Sequence, residues 1–375
     1  MTCDRCDSAR KEGYRFCPVC GGELGEGPCQ YCDEYRAGGY EYCGRCGAKL
    51  RDAPEPEDPN SPLKMGAVFS MPFILILLIL ELGILIYAFP ETLDWLSDKT
   101  VNIFFLSPDL RTVGHLSGIS AQIYWVVIAV AIVLSAVALL YQSRNMFSPD
   151  RNKRNLESAE KTPLFWICLL FGSTIIIELV INLLQGSFGQ GIVAPEGLVA
   201  DSLPEDAFTF ARAAFWEEIV SRLIPIGLPM MALAICAGRK DFLRYLYGGY
   251  GMSRVALALL IVTSIVFGVA HVDLWGINKV ATATLGGLVM GLLYIKFGLH
   301  ASIVFHFLTD YMSVAMTHVS AVLTAAILLV ILVVGLVCLV EVFMRLRKVP
   351  EAVRKMPAIP DWESKGSEDG TETDP

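Results

Sequence analysis

Positive charge is scarce in this chain: 30 Lys and Arg stand against 38 Asp and Glu, a formal net charge of -8. No strongly basic face appears, so binding to nucleic acid through the bulk field is excluded. A cleavable signal peptide is also missing. The first apolar run begins near residue 66, behind a polar head, so it is expected to act as a true membrane span. No inverted repeat with paired broken helices is visible either, which ranks a transporter with an intramembrane carboxylate site last among the function classes.

What the chain does have is apolar length. Hydrophobic residues make up 54% of it, above the roughly 45–50% of an average soluble domain. The excess is uneven. Residues 1–64 are polar and rich in Cys, Gly and charge, residues 66–343 hold long apolar runs, and residues 344–375 form a polar acidic tail. The fold class expected is an all-α polytopic membrane protein of about eight transmembrane helices with a small N-terminal zinc-ribbon domain.

Of the 11 cysteines, those in the head form four C-x-x-C turns: Cys3 with Cys6, Cys17 with Cys20, Cys29 with Cys32, and Cys43 with Cys46. Residues 3–24 align with residues 29–50, an internal repeat. Tetrahedral zinc takes four soft thiolates, and two such turns close one site. One structural Zn2+ is therefore assigned to Cys3, Cys6, Cys17 and Cys20, and a second to Cys29, Cys32, Cys43 and Cys46. Each half is too short to build an apolar core, so the metal must supply folding energy. A disulfide framework is the alternative, and it needs an oxidising compartment. The halves resemble the double zinc ribbons of many archaeal and bacterial proteins, which bind partners or stabilise a terminus. That resemblance implies a cytosolic protein partner for residues 1–50. Residues 51–64 read as an extended, Pro-rich acidic linker.

Candidate spans fall at 66–89, 119–141, 164–184, 209–236, 255–271, 280–297, 300–319 and 320–343. Basic residues gather between spans two and three, between spans four and five, and after span eight. The stretch 185–208 has no Lys or Arg. An even number of spans with N- and C-termini in the cytoplasm satisfies every bias. The localisation expected is thus the cell membrane, multi-pass, with the thiol-rich head in a reducing compartment. His115 reads as a loop residue with no visible partner, and the loop 90–118 as acidic on balance.

Ionisable side chains inside a span are costly and mark function. Span four contains Phe215-Trp-Glu-Glu-Ile-Val-Ser-Arg222. Glu218 and Arg222 are one helical turn apart and can pair, while Glu217 lies about 100° around the helix. Pro225 and Pro229 follow, so a kink is expected below the pair. Span five ends with Phe267-Gly-Val-Ala-His271, and span seven holds His306-Phe-Leu-Thr-Asp310. An Asp one turn from a His can orient the ring and fix its tautomer. Each group taken alone also reads as a structural pair or an interfacial His. Together they form a polar set from three spans, expected to face the bundle interior. A carboxylate general base, an imidazole and a carboxyl partner suffice to activate water against an amide and hold the oxyanion. Glu and His side chains can also hold a metal. Glu81 and the pair Glu178 and Asn182 read as structural groups within apolar runs.

The ordered set E-E-x-x-x-R, F-x-x-x-H and H-x-x-x-D/N resembles the CPBP family of type II CAAX prenyl endopeptidases and related bacteriocin-processing or abortive-infection membrane proteins. The likeness spans residues 165–320. It implies an intramembrane endopeptidase acting on a membrane-associated protein or peptide, a prenylated protein among the options. By that resemblance Glu217 activates water, His271 positions it, His306 and Asp310 stabilise the oxyanion, and Glu218 and Arg222 support Glu217. The family has been described both as metalloprotease and as metal-free glutamate protease, and the metal-free version is the one expected here. A non-catalytic membrane scaffold or immunity protein, its zinc ribbons docking a cytosolic partner, is the competing class.

Overall fold

In the computed structural model the described residues are Lys11, 62–106, 110–148, 156–191 and 202–360. The ribbon cysteines Cys3, Cys6, Cys17, Cys20, Cys29, Cys32, Cys43 and Cys46 lie outside the described residues, as do the linker up to residue 61 and the tail beyond residue 360. The chain divides into two units, Met1–Ser61 and Pro62–Pro375. The second carries the helical fold.

Long apolar sequences dictate long helices, since a backbone in hydrocarbon must satisfy its own hydrogen bonds. Helix α1 (Pro62–Trp95) is followed by a hairpin of β1 (Thr100–Leu106) and β2 (Leu110–Ser117). Then come α2 (Ile119–Gln142), the short α3 (Leu156–Glu160) and α4 (Pro163–Ser187). Helix α5 (Leu203–Cys236) is long and contains two π segments, Ala213–Glu217 and Ile219–Gly227. After the short α6 (Leu243–Tyr247) follow α7 (Arg254–Ala270), the one-turn α8 (Val272–Trp275), α9 (Lys279–Phe297), α10 (Leu299–His318) and α11 (Ala321–Lys355). Starts are capped from the sequence: Thr162, Ser253 and Ser320 accept the amide hydrogens of Phe165, Ala256 and Leu323. Gly298, at φ +117°, makes the tight reversal from α9 into α10.

Among the described residues seven helices are long and apolar enough to cross a membrane: Met65–Asp98, Ile119–Gln142, Pro163–Ser187, Leu203–Cys236, Arg254–Trp275, Lys279–Phe297 and Ala321–Lys355. The expected seventh span, 300–319, coincides with α10, an unbroken helix of 20 residues. It is less apolar because its polar side chains turn inward. Residues 301–308 are buried without interruption, so this half of α10 is enclosed by its neighbours on every side.

Two expectations are corrected. The fourth span starts at Leu203, not at residue 209. The loop expected over 90–118 is largely folded, partly as the last turns of α1 and partly as the antiparallel hairpin, whose register runs from Thr100 opposite Ser117 to Leu106 opposite Leu110. A bulge lies between Ile103 and Phe104. His115 is not alone: its Nδ1 lies 2.8 Å from Asn102 Oδ1 across the hairpin.

Helices approach closely where small residues face each other, as in other membrane bundles. Gly172 of α4 and Gly335 of α11 are back to back, and a Cβ at Gly172 would sit 2.8 Å from the Ile331 carbonyl oxygen. Gly287 and Gly291 of α9 receive Ser264 and Leu260 of α7 in the same way. Gly172→Leu should therefore destabilise the bundle by about 1–3 kcal/mol through overpacking. Gly186→Leu on the same helix, where nothing lies within 4 Å, serves as the control. Equal melting temperatures for the two variants in detergent would contradict this packing.

Candidate active site

The site is built on the π region of α5. A π turn widens the helix and changes which side chains share a face, and such turns recur at functional sites. Pro225, lacking an N–H, lies in the second π segment. Glu218 points into the bundle and its side chain is 0% exposed. Arg222 is 2% exposed and places Nη1 at 3.1 Å from Glu218 Oε1. The contact is an ion pair rather than an aligned hydrogen bond. The guanidinium lies over the ring of Phe267, with Cζ 4.5 Å from the centroid. A buried charge is tolerated only with partners of this kind.

Glu218 reaches across to α10. His306 Nδ1 lies 2.8 Å from Glu218 Oε1, and Ser302, one turn earlier on α10, donates its hydroxyl to Glu218 Oε2. On its other edge His306 Nε2 is 3.2 Å from Asp310 Oδ2. Both ring nitrogens of His306 thus face carboxylates and act as donors. His271 is different. It closes α7, and its Nδ1 lies 2.7 Å from the Phe267 carbonyl oxygen. A carbonyl only accepts, so Nδ1 carries the hydrogen, and in the neutral ring Nε2 is the nitrogen with the lone pair. That lone pair faces Glu217: His271 Nε2 is 4.0 Å from Glu217 Oε2. His306 Nε2 is also 4.0 Å from the same oxygen.

Glu217, 16% exposed, opens onto a cavity of about 960 Å³. His271, His306 and Asp310 line it as well, together with Glu178 of α4, Arg212 of α5 and Lys279 of α9. The hairpin supplies one wall through Thr100, Val101, Asn102, Phe104 and Thr112. It is fastened to α5: Trp216 Nε1 donates to the Phe104 carbonyl at 2.6 Å, and Arg212 Nη1 to the Asn102 carbonyl at 3.3 Å.

Span limits read from sequence leave Glu217 and His271 at one depth and His306 at another. Helix lengths remove the conflict. Because α5 begins at Leu203, Glu217 lies about 21 Å along it at 1.5 Å per residue. His306 lies about 18 Å from the end of α10 at His318 on the same measure. An ion pair ties these helix ends together, His318 Nε2 to Asp206 Oδ2 at 2.7 Å. Helix α7 has only 17 residues, so its last turn stops short and leaves His271 at the level of the other two.

The donor set does not fit a metal ion. His306 has committed both nitrogens to carboxylates, which leaves His271 Nε2 and Glu217 as free ligands on the two sides of the gap. Among the described residues no group of three or more His, Cys, Asp or Glu is arranged to hold one. Sequence reasoning missed Ser302, although it stands one turn before His306 on the same face. It also missed the hairpin wall, which no motif announces.

Residues 202–312 match the family model described as type II CAAX prenyl endopeptidase Rce1-like. The match runs from the start of α5 into α10 and includes every motif residue, but it is narrower than the 165–320 likeness. It leaves α1, the hairpin, α2, α4 and α11 outside. No curated protein and no solved structure matches the chain.

Arg222→Met leaves Glu218 as a buried carboxylate short of its counter-charge, which should cost about 3–5 kcal/mol. The loss is read as a lower melting temperature of the purified protein, and pairing the change with Glu218→Gln should recover part of it. A melting temperature unmoved by Arg222→Met would show that the pair does not hold the bundle.

Proposed function

We propose that this protein is an intramembrane endopeptidase that hydrolyses a peptide bond of a membrane-associated protein or peptide, with Glu217 activating the water. The observation that carries the reading is the position of Glu217 Oε2, 4.0 Å from His271 Nε2 and 4.0 Å from His306 Nε2, on the wall of a large cavity. Such a gap is too long for a direct hydrogen bond and suits one bridging water. The match to an endopeptidase family over these residues supports the same conclusion.

The chemistry follows from the donors and acceptors in place. Glu217 takes a proton from the water, and the other hydrogen is directed at the lone pair of His271 Nε2. The water oxygen forms a bond to the carbonyl carbon of the substrate. The developing oxyanion draws the His306 Nε2 hydrogen away from Asp310, whose carboxylate stays beside the ring and balances its charge. The C–N bond then breaks as Glu217 returns the proton to the departing amine. Glu218, Arg222 and Ser302 hold His306 in place from behind. No step passes through a metal in the cavity. A prenylated protein end is one substrate this reading admits, and a bacteriocin-like peptide is another.

Zinc belongs to the other unit in this reading. Residues 1–50 hold two Zn2+ through the eight ribbon cysteines, in a reducing cytoplasm shared by both chain ends, and present a docking site for a cytosolic protein.

Two measurements test the reading. Glu217→Ala should lower cleavage of a membrane peptide substrate by at least about 100-fold with an unchanged melting temperature, while Arg239→Ala, in an exposed loop pair with Asp241, should leave it unaltered. Full activity of the Glu217→Ala protein would end the proteolytic reading. Metal analysis of the full chain should find two zinc ions, and Cys29→Ser with Cys32→Ser should remove one of them. Zinc content unaffected by those changes would refute the ribbon assignment.

A further inference from the structure

Glu81 is the one intramembrane carboxylate of α1, outside the segment that matches the endopeptidase family. It is 0% exposed, and neither carboxyl oxygen has a hydrogen-bond partner. The Tyr311 hydroxyl of α10 and the Thr324 hydroxyl of α11 are likewise buried and unpartnered. Buried polar atoms without partners are rare and call for an explanation.

Helix registers bring these groups to one level. Gly66 of α1 lies against Val337 and Cys338 of α11. The two helices run in opposite directions, so moving along α1 to Glu81 arrives opposite Thr324. The Thr92 hydroxyl meets the Pro204 carbonyl of α5 at 3.5 Å. Moving back from there to Glu81 arrives at the turn of α5 that carries Phe215 and Glu217. Glu81 therefore stands behind the candidate active site, at its depth. Asp310 and Tyr311 lie within electrostatic reach of it. Of the elements packed on α1, α4 adds Glu178, within electrostatic reach of Asp310, and α5 adds Asp206, within electrostatic reach of Tyr311 and paired with His318. Helix α2 carries no charged side chain.

A buried carboxylate with no donor or cation beside it does not carry charge in a low-dielectric interior, and Glu81 is such a group, whereas Asp310 has His306 as its partner. Asp310 is the one that accepts from His306 and touches the wet cavity, being 32% exposed. We propose that Glu81 is a positioning residue of the active site: it keeps a proton behind Asp310 and, through buried water shared with Tyr311 and Thr324, holds Asp310 as the anion that His306 requires. The assignment of a role in turnover rests on the proteolytic reading; the proton itself does not.

The test uses the full chain in lipid nanodiscs. An infrared difference spectrum, wild type minus Glu81→Gln, should show the carbonyl band of a protonated carboxylic acid, shifted in heavy water. Glu81→Gln, neutral and nearly isosteric, should keep kcat within a few-fold of wild type. Its alkaline limb should move to higher pH, since the Gln side chain has no proton to lose as pH rises. Glu81→Leu, which cannot bind the water, should lower kcat more than tenfold with little change in KM. Absence of the band overturns the proposal even if Glu81→Leu fails to fold. An alkaline limb identical in wild type and Glu81→Gln overturns the catalytic part. A band present in a protein that cleaves nothing supports the proton site and counts against the proteolytic reading instead.

Discussion

The structure depends on a buried pair of opposite charges, Glu218 and Arg222, on a helix that must also pass through an apolar bundle. Neither group survives alone at that depth. Arg222 is shielded by Phe267 and by Glu218, and Glu218 shares its remaining acceptor capacity between His306 and Ser302. The pair thereby fastens α5, α7 and α10 to one another. It also decides the state of His306, whose Nδ1 is claimed from behind so that Nε2, beside Asp310, is the nitrogen at the cavity. The chemistry in front is set by the electrostatics at the back.

The two imidazoles differ for the same kind of reason. His306 lies between two carboxylates and donates on both edges. His271 donates from Nδ1 to a backbone carbonyl, so its neutral ring has the lone pair on Nε2. The same side chain thus offers a donor on one side of Glu217 and an acceptor on the other. A water held there has its hydrogens and its lone pairs directed before any substrate arrives, which is the preorganisation that electrostatic catalysis requires.

Much of this was legible in the sequence because helices convert spacing into direction. Glu218 with Arg222, Phe267 with His271, and His306 with Asp310 are all one turn apart, and ionisable groups in apolar runs identify themselves. The links between helices were not legible. Nothing in the spacing of α5 says that Glu218 bonds to His306 rather than to a water, or that Ser302 joins it. The depth of the site was also hidden, since it follows from where α5 starts and how early α7 stops, and boundaries are the least certain part of any helix reading. The hairpin escaped because Thr100–Leu106 is short and lies between two strong spans that dominate the hydrophobic pattern. Glu81 was visible but looked structural, since its neighbours come from helices far along the chain.

Trp216, beside Glu217 in the chain, grips strand β1 together with Arg212. The hairpin wall of the cavity and the Glu217 carboxylate are therefore set by neighbouring residues of one π segment. In the proteolytic reading, a change that loosens Trp216 from the strand also disturbs the backbone that aims the carboxylate, so the wall and the acid cannot be tuned independently by evolution or by an engineer. Under that reading, what the cavity accepts and how fast it is cut are fixed within the same few ångströms.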